Sequence, residues 1–383
     1  MSLPEVRLKI RVRGRHPWFF RKMVDKPRQP LPAGGIVRVV DRGGAFVGIG
    51  LYNARSELAL RLFSHEPTED VNARLALLLE TAFDLRENTL GLASVSNAYR
   101  LAHSEGDGLP GLVLDLLGDW IVAQPFSLGM LKLMEHVEAC AARRYPGKRL
   151  VLSVEEAAAE REGMGKIARV PARETEVVER GVRFRVLPAS GHKTGFFADQ
   201  RDNRQLVRNL ARGRRVLDLF CHAGGFGIAA ALGGAKAVLA VDLDEDAVAQ
   251  ARSNAALNKQ RIDCRHADAF DVLREVKRGA FDLIVLDPPK WVAGKTQIGD
   301  GLVRYRDLNR IALEKCVPGA LLVTCSCSGA VSEELFLATL REAAAAAARD
   351  ARVLMIRGAG ADHPVALECA ETRYLKVVVL QVR

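Results

Sequence analysis

The stretch from Val216 to Gly227, VLDLFCHAGGFG, constrains this chain more than any other. Four apolar residues surround the acid Asp218, three glycines follow within four positions (Gly224, Gly225, Gly227), and the helix-forming run IAAAL comes next. That order reads as a buried strand, a tight turn and a helix start. The backbone N–H groups and positive dipole end of such a junction favour the anionic part of a ligand. Asp242 closes a second apolar strand, VLAVD (238–242). An acid at the carboxyl end of the neighbouring strand suits the two hydroxyls of a ribose. Together these features predict a doubly wound α/β sheet holding an adenosine-containing cofactor.

The glycines do not follow the GxGxxG spacing of dinucleotide sites. Asp218 and Phe220 followed by Gly224, Gly225 and Gly227 resemble motif I of the class I S-adenosylmethionine (SAM) methyltransferases. On the turn alone, an NAD enzyme and a non-catalytic Rossmann module remain the other readings.

With 383 residues the chain has room for two or three cores. Its net charge of +10 is unevenly placed, residues 1–67 holding 13 Lys/Arg against 5 Asp/Glu. A basic module on a nearly neutral body suggests RNA or DNA as partner, against the simpler reading of a solvated basic tail. The seven cysteines are scattered and form no CxxC pair, so neither a metal site nor a disulfide framework is expected. No apolar run approaches membrane-spanning length, and the basic N-terminus lacks a hydrophobic segment. A cytoplasmic, reduced protein with free thiols and no membrane partner is expected.

Residues 2–13, SLPEVRLKIRVR, alternate with period two and predict a strand; three more short strands lie before His65. Arg15 and Trp18, in GRHPWFF, are candidates for holding RNA, although Trp18, Phe19 and Phe20 equally suit a core. Helix 70–91, strands within 98–124, helix 128–144 and strand 149–153 make a small α+β unit. Its loop acids Glu105 and Asp107 sit beside glycine, as turn residues do. In GHKTGFFADQRDNR (191–204), polar groups beside aromatics suggest a lid over the methionine end of SAM. Phe197, Gln200 and Arg201 are its candidate cofactor residues, and Lys193 its candidate RNA contact.

Asp268 and Ala269 precede Phe270 after a strand-like stretch, an acid and an aromatic placed to reach an adenine. FDLIVLDPPKW (281–291) is a buried strand whose two prolines present Asp287 beyond its carboxyl end. A helix at 305–316, a strand ending in CSCSG (325–329), an Ala-rich helix capped by Ser332 and strands 352–356 and 374–382 complete the chain.

Read together, these stretches resemble the PUA-domain SAM-dependent methyltransferases that make 5-methylcytosine in 23S rRNA. The likeness rests on RHPWFF (15–20), YRLAHSEGDGLPGLVLD (99–115), GHKTGFFADQRDNR, LDLFCHAGGF (217–226), DPPKW, SCSG (326–329), DHP (362–364) and YLK (374–376), in that order. The resemblance implies a small all-β PUA-like RNA-binding domain (1–67), an α+β middle domain (68–175) and a Rossmann-like SAM-dependent methyltransferase domain (176–383). Its sheet is expected to be mostly parallel, with one antiparallel strand near the C-terminus. The resemblance also carries SAM binding onto Asp218, Phe220, Gly224, Gly225, Asp242, Asp268, Ala269 and Asp287, and makes 23S rRNA or a large-subunit precursor the partner. It leaves a homodimer open.

The same resemblance implies catalysis by Cys327. Carbon 5 of cytosine is a poor nucleophile, and thiolate attack on carbon 6 makes it enamine-like. Cys327 supplies the thiolate and Asp287 the acid near ring nitrogen 3. Lys290 and Lys193 are candidates for nearby positive charge and for RNA contact. Cys325 reads as structural, or as an aid to product release; Cys221 reads as packing, and His363 as a structural hydrogen-bonding group or a proton shuttle. A guanine N7 or N2 methyltransferase without a cysteine nucleophile and a SAM-binding ribosome assembly factor are the rival readings.

Overall fold

The computed structural model describes residues 3–68, 70–167, 172–189 and 194–383. They form two compact units. The first comprises Met1–Val178, Val186–Ala198 and Ala361–Thr372; the second comprises Glu179–Arg185, Asp199–Gly360 and Arg373–Arg383.

The first unit begins with β1 (Glu5–Arg7), β2 (Trp18–Phe19), β3 (Gly35–Val40), β4 (Phe46–Tyr52) and β5 (Leu60–Ser64), a five-stranded sheet in the order β1-β3-β4-β5-β2. The strand expected over 2–13 is only three residues long. Val6 and Leu8 keep the alternation and are buried, but Lys9 then donates to Met23 and Ile10 accepts from Arg42, which draws the chain off the β3 ladder. Phe19 is the core aromatic of the WFF triplet.

Asp70 caps α1 (Val71–Asp84) by accepting the Ala73 N–H at 2.9 Å, and Leu75, Leu79, Ala82 and Phe83 face inward. β6 (Ala98–His103), β7 (Leu112–Leu117), β8 (Trp120–Pro125) and β9 (Arg149–Leu152) form a four-stranded sheet in chain order. The helix expected over 128–144 is broken at Leu133 into α2 (Leu128–Lys132) and α3 (Met134–Arg144). α4 (Glu156–Glu162) follows, and the hairpin of β10 (Thr175–Glu179) and β11 (Val182–Val186) is shared between the two units, Glu179–Arg185 belonging to the second. Asp107 is more than a turn residue: its carboxylate takes both terminal nitrogens of the buried Arg86, at 2.6 and 2.7 Å. Arg86 also donates to the Asp362 carbonyl at 2.6 Å, and Asp362 Oδ2 accepts the Arg100 N–H at 3.0 Å.

The second unit alternates helix and strand: α5 (Arg201–Leu210), β12 (Arg215–Leu219), α6 (Gly225–Leu232), β13 (Ala237–Asp242), α7 (Glu245–Leu257), β14 (Asp263–His266), α8 (Ala269–Glu275), β15 (Leu283–Leu286), α9 (Ile298–Lys315), β16 (Leu321–Ser326), α10 (Glu333–Ala346), β17 (Ala351–Arg357) and β18 (Lys376–Val382). The sheet order is β14-β13-β12-β15-β16-β18-β17, and β18 alone runs against the rest. Apolar strand faces pack on the helices in two clusters, one around Leu286, Tyr305 and Leu308 and the other around Val207, Val285 and Val379. α9 begins at Ile298, earlier than the expected 305. Two glycines in its first turn hide it from propensity, and Gly301 is needed there because a Cβ would meet Val292 Cγ2 at 2.2 Å.

Candidate active site

The candidate site residues of the second unit gather at the carboxyl ends of β12, β13, β15 and β16. β12 ends at Leu219, and the chain then turns through Phe220 and His222, both in the left-handed region (φ 61° and 46°), before Gly224 (φ 82°) starts α6. Non-glycine residues there cost on the order of 1–3 kcal/mol each, which marks a turn held in shape by its surroundings. Asp218 is that holder. Its side chain is fully enclosed, and Oδ2 accepts the Gly227 N–H at 2.7 Å. Burial pushes its carboxyl up to about 8, with Asp287 and Asp242 adding to the rise against the Gly227 N–H. Oδ1 has no hydrogen-bond partner among the described residues. Asp218 therefore fixes the turn that leads into α6.

Asp242 sits at the tip of β13, where its two oxygens accept the N–H groups of His222 (2.8 Å) and Asp244 (3.0 Å). One lone pair on each oxygen remains for a diol. Asp268 caps α8, Oδ1 accepting the N–H of Phe270 at 2.8 Å and of Asp271 at 3.2 Å. Ala269 is buried in the first turn of that helix. Phe220 and Phe270 both contact Trp291, with ring centroids 6.1 and 6.3 Å apart.

Gln200, buried just before α5, donates Nε2 to Asp287 Oδ1 at 3.0 Å, and its Oε1 accepts from Asn203 at 2.8 Å. Gln200 thus orients the Asp287 carboxylate. Arg201 is buried at the start of α5, and Tyr374 donates its hydroxyl to Asp199 at 2.6 Å. Cys327 lies one residue beyond β16. It is the one cysteine of the seven that is not buried, and its thiol points to the Pro288 carbonyl at 4.0 Å. Cys325 is fully buried, and burial followed by the Asp287 charge pushes its thiol well above the usual range. Cys221 is likewise pushed up, chiefly by burial. Both stay protonated.

The second unit therefore brings together Gln200, Asp218, Phe220, Gly224, Gly225, Asp242, Asp268, Ala269, Asp287 and Cys327 on the strand tips and the turns beside them. Lys290 is exposed on the loop after Asp287. Arg15, Trp18 and Phe197 belong to the first unit, and Lys193 lies outside the described residues. Arg15 is exposed, whereas Trp18 is half-buried and fastened by an Nε1–H bond to Glu105 at 2.7 Å.

Three possible metal ligands, His16, Cys369 and Glu371, meet in the first unit. The Trp18 N–H donates to His16 Nδ1 at 3.1 Å, which leaves the proton on Nε2, facing Glu371 at 3.5 Å. Burial and the Glu371 charge push the Cys369 thiol up to about 12, so it remains a donor to Glu371. The trio is satisfied as hydrogen-bonding pairs.

Sequence reasoning gave no role to Lys376, Ser328 or Trp291. Lys376 carried a readable signal, a lysine opening the otherwise apolar strand KVVVLQV. Ser328 Oγ accepts the Val292 N–H at 3.2 Å and meets the Tyr305 hydroxyl at 3.1 Å, tying the CSCS turn to the DPPKW loop. Neither link has a sequence signal.

A doubly wound sheet with a strained glycine turn, an acid on the next strand tip and a half-exposed thiol beside a third acid defines a group-transfer enzyme using an adenosine cofactor. Residues 111–353 match the family described as S-adenosylmethionine-dependent methyltransferase, and residues 7–65 match a PUA-like domain. The chain is 36% identical over 381 residues to "Ribosomal RNA large subunit methyltransferase I" of Tolumonas auensis, covering 96% of this chain and 95% of the relative. The Escherichia coli protein of that name is 33% identical over 373 residues, covering 94% of each. In fold, the chain superposes on a SAM-dependent methyltransferase from Streptococcus mutans with a TM-score of 0.82 at 20% identity, over 99% of this chain and 100% of the other. The chain belongs to the S-adenosylmethionine-dependent methyltransferase family with an N-terminal PUA-like domain, and its cofactor is SAM. The site fits that cofactor: Gly224 and Gly225 leave the turn backbone bare, and Asp242 keeps acceptor capacity for a ribose.

Proposed function

We propose that this protein methylates carbon 5 of a cytosine in 23S rRNA through a covalent adduct with Cys327. The observation that carries this reading is the half-exposed Cys327 thiol just past β16, beside the Asp287 loop that follows β15, while the other six cysteines are sealed. The names of the relatives supply the RNA: they are methyltransferases of large-subunit ribosomal RNA.

SAM, when bound, supplies the electrophilic methyl group. Cys327 sulfur bonds to carbon 6 of the base while Asp287 gives a proton to ring nitrogen 3, and the electron pair so released makes carbon 5 nucleophilic. Gln200 holds the Asp287 carboxyl in place for that transfer. After methylation, a water molecule takes the carbon-5 proton, the electron pair so freed forms the carbon 5–carbon 6 double bond and expels the Cys327 thiolate, and the proton on ring nitrogen 3 returns to Asp287. Phe220, Gly224, Gly225, Asp242, Asp268 and Ala269 are assigned to the cofactor, and Lys290 and Arg15 to the RNA. The three-part division at 67 and 175 is kept as a proposal, supported by a separate sheet in each part.

The assembly we propose is a homodimer. β17 is an outermost strand of its sheet, and Val353, Leu354, Met355 and Ile356 on it are all exposed. A second copy of this edge would cover such a strand.

The test is methyl transfer from radiolabelled SAM to rRNA from a strain lacking the protein, followed by nucleoside analysis, with wild type and Cys327→Ser in parallel. Labelled 5-methylcytidine that disappears with Cys327→Ser supports the reading. Labelled methylguanosine, or activity that survives the substitution, overturns it. No label on naked RNA or on large subunits favours an assembly factor.

A further inference from the structure

Lys376 opens β18 in register with Ser326, the residue before Cys327. Its side chain is 2% exposed, and its ammonium donates to the Ser328 carbonyl at 2.6 Å and to the Tyr374 carbonyl at 2.8 Å. Ser328 is the residue after Cys327. The lysine therefore grips the turn on both sequence neighbours of the thiol, once by strand pairing and once by a hydrogen bond. Among the described residues no carboxylate forms an ion pair with Lys376, although a buried ammonium ordinarily needs one. Two of its three donors are taken by carbonyls.

We propose that Lys376 is the positioning residue for the Cys327 nucleophile: it fixes the turn that aims the sulfur and supplies the buried positive charge that stabilises the thiolate. The inference rests on the reading of Cys327 as nucleophile. It supplies the cation which the sequence sought at Lys290 and Lys193.

The electrostatic surroundings agree. Burial pulls the Lys376 ammonium down to about 8, and the Cys327 charge opposes that fall, as two groups that favour each other's ionised form must do. Arg373 and Glu333 also act on Lys376, with opposite signs. On the thiol side stand Asp287, Cys325 and the Tyr305 hydroxyl. Cys325 and Tyr305 are held neutral by burial, and Lys376 places a cation beside them.

The experiment is the rate of iodoacetamide alkylation of Cys327 in the full chain, read by peptide mass spectrometry between pH 5.5 and 10. Wild type, Lys376→Met, Lys376→Arg and Cys327→Ser are compared, the last marking background. In wild type the half-maximal rate is expected below the ordinary thiol value of about 8.5. Lys376→Met is expected to move it up by about one unit, a roughly tenfold slower reaction at pH 7, and Lys376→Arg to restore it. An unchanged profile in Lys376→Met overturns the proposal. Should that variant fail to fold, a wild-type profile centred at or above 8.5 overturns it by itself. Failure of the nucleophile reading looks different: Cys327→Ser would still make 5-methylcytidine while the alkylation profiles kept their dependence on Lys376.

Discussion

Asp218 is a carboxyl sealed where a carboxylate is expensive, and Asp218→Asn isolates that cost. Burial pushes its value from 3.8 to about 8. A carboxyl raised in this way keeps its proton when folded, while the unfolded chain releases it, so stability falls as pH rises from about 4 to about 8. One pKa unit corresponds to about 1.4 kcal/mol, so at pH 7 the native state carries a penalty of about 4 kcal/mol. Asparagine mimics the protonated acid: its oxygen can accept the Gly227 N–H, and its amide replaces a hydroxyl that likewise has no partner at Oδ1. The variant is therefore expected to match wild type near pH 4 and to become more stable by about 1.4 kcal/mol for each pH unit above it. Urea unfolding of the cofactor-free protein in a Trp18→Phe, Trp120→Phe background measures this, because Trp291 then reports on the second unit alone. The difference between the two curves removes every other titrating group. A difference that stays constant between pH 5 and 7.5 refutes the reasoning.

Gly224→Ala places a side chain at φ 82° with its Cβ 3.1 Å from that of Ala251; a loss of about 1–2 kcal/mol and weaker SAM binding by calorimetry are expected, and undiminished affinity counts against the turn as the cofactor cradle. Asp287→Asn keeps an acceptor for Gln200 but cannot protonate the base. Its methyl transfer should fall by roughly 10²–10⁴ with SAM affinity preserved, and a loss below threefold removes Asp287 from proton transfer. Val353→Lys with Met355→Lys on β17 should yield a monomer in sedimentation velocity; a wild type that already sediments as a monomer overturns the dimer.

The parts of this fold legible in the sequence were those where a local pattern and the tertiary structure demand the same thing. β12, its turn and α6 are such a case: the apolar run, the glycines and the alanines each act within a few residues. The capping of α10 by Ser332 is another, with its side chain accepting the Leu335 N–H at 3.1 Å. The first turn of α9 was hidden because Gly301 is chosen for a close approach to Val292, a long-range demand that local propensity contradicts. In the candidate site, Asp287 and Cys327 stand out in the sequence because each sits in a motif. Gln200 reads as a cofactor ligand, and its bond to Asp287 was not legible because it joins residues 87 apart in sequence. Lys376 belongs to the same class, being defined by the Ser328 carbonyl across the antiparallel pair β16–β18.

The chain passes back to its first unit near the end, with residues Ala361–Thr372 belonging there. Asp362 gives Arg86 a carbonyl and the Arg100 backbone a carboxylate, both inside a buried polar network. A protein made from its N-terminus ordinarily folds domain by domain as it emerges. Here that order does not hold for the first unit, whose interior stays short of partners until residues 361–372 have been made. A nascent chain halted at residue 360 would hold all of residues 1–178 and still leave Arg86 lacking one of its acceptors. The polar core of the first unit is thus closed by a segment that follows most of the second unit in the chain.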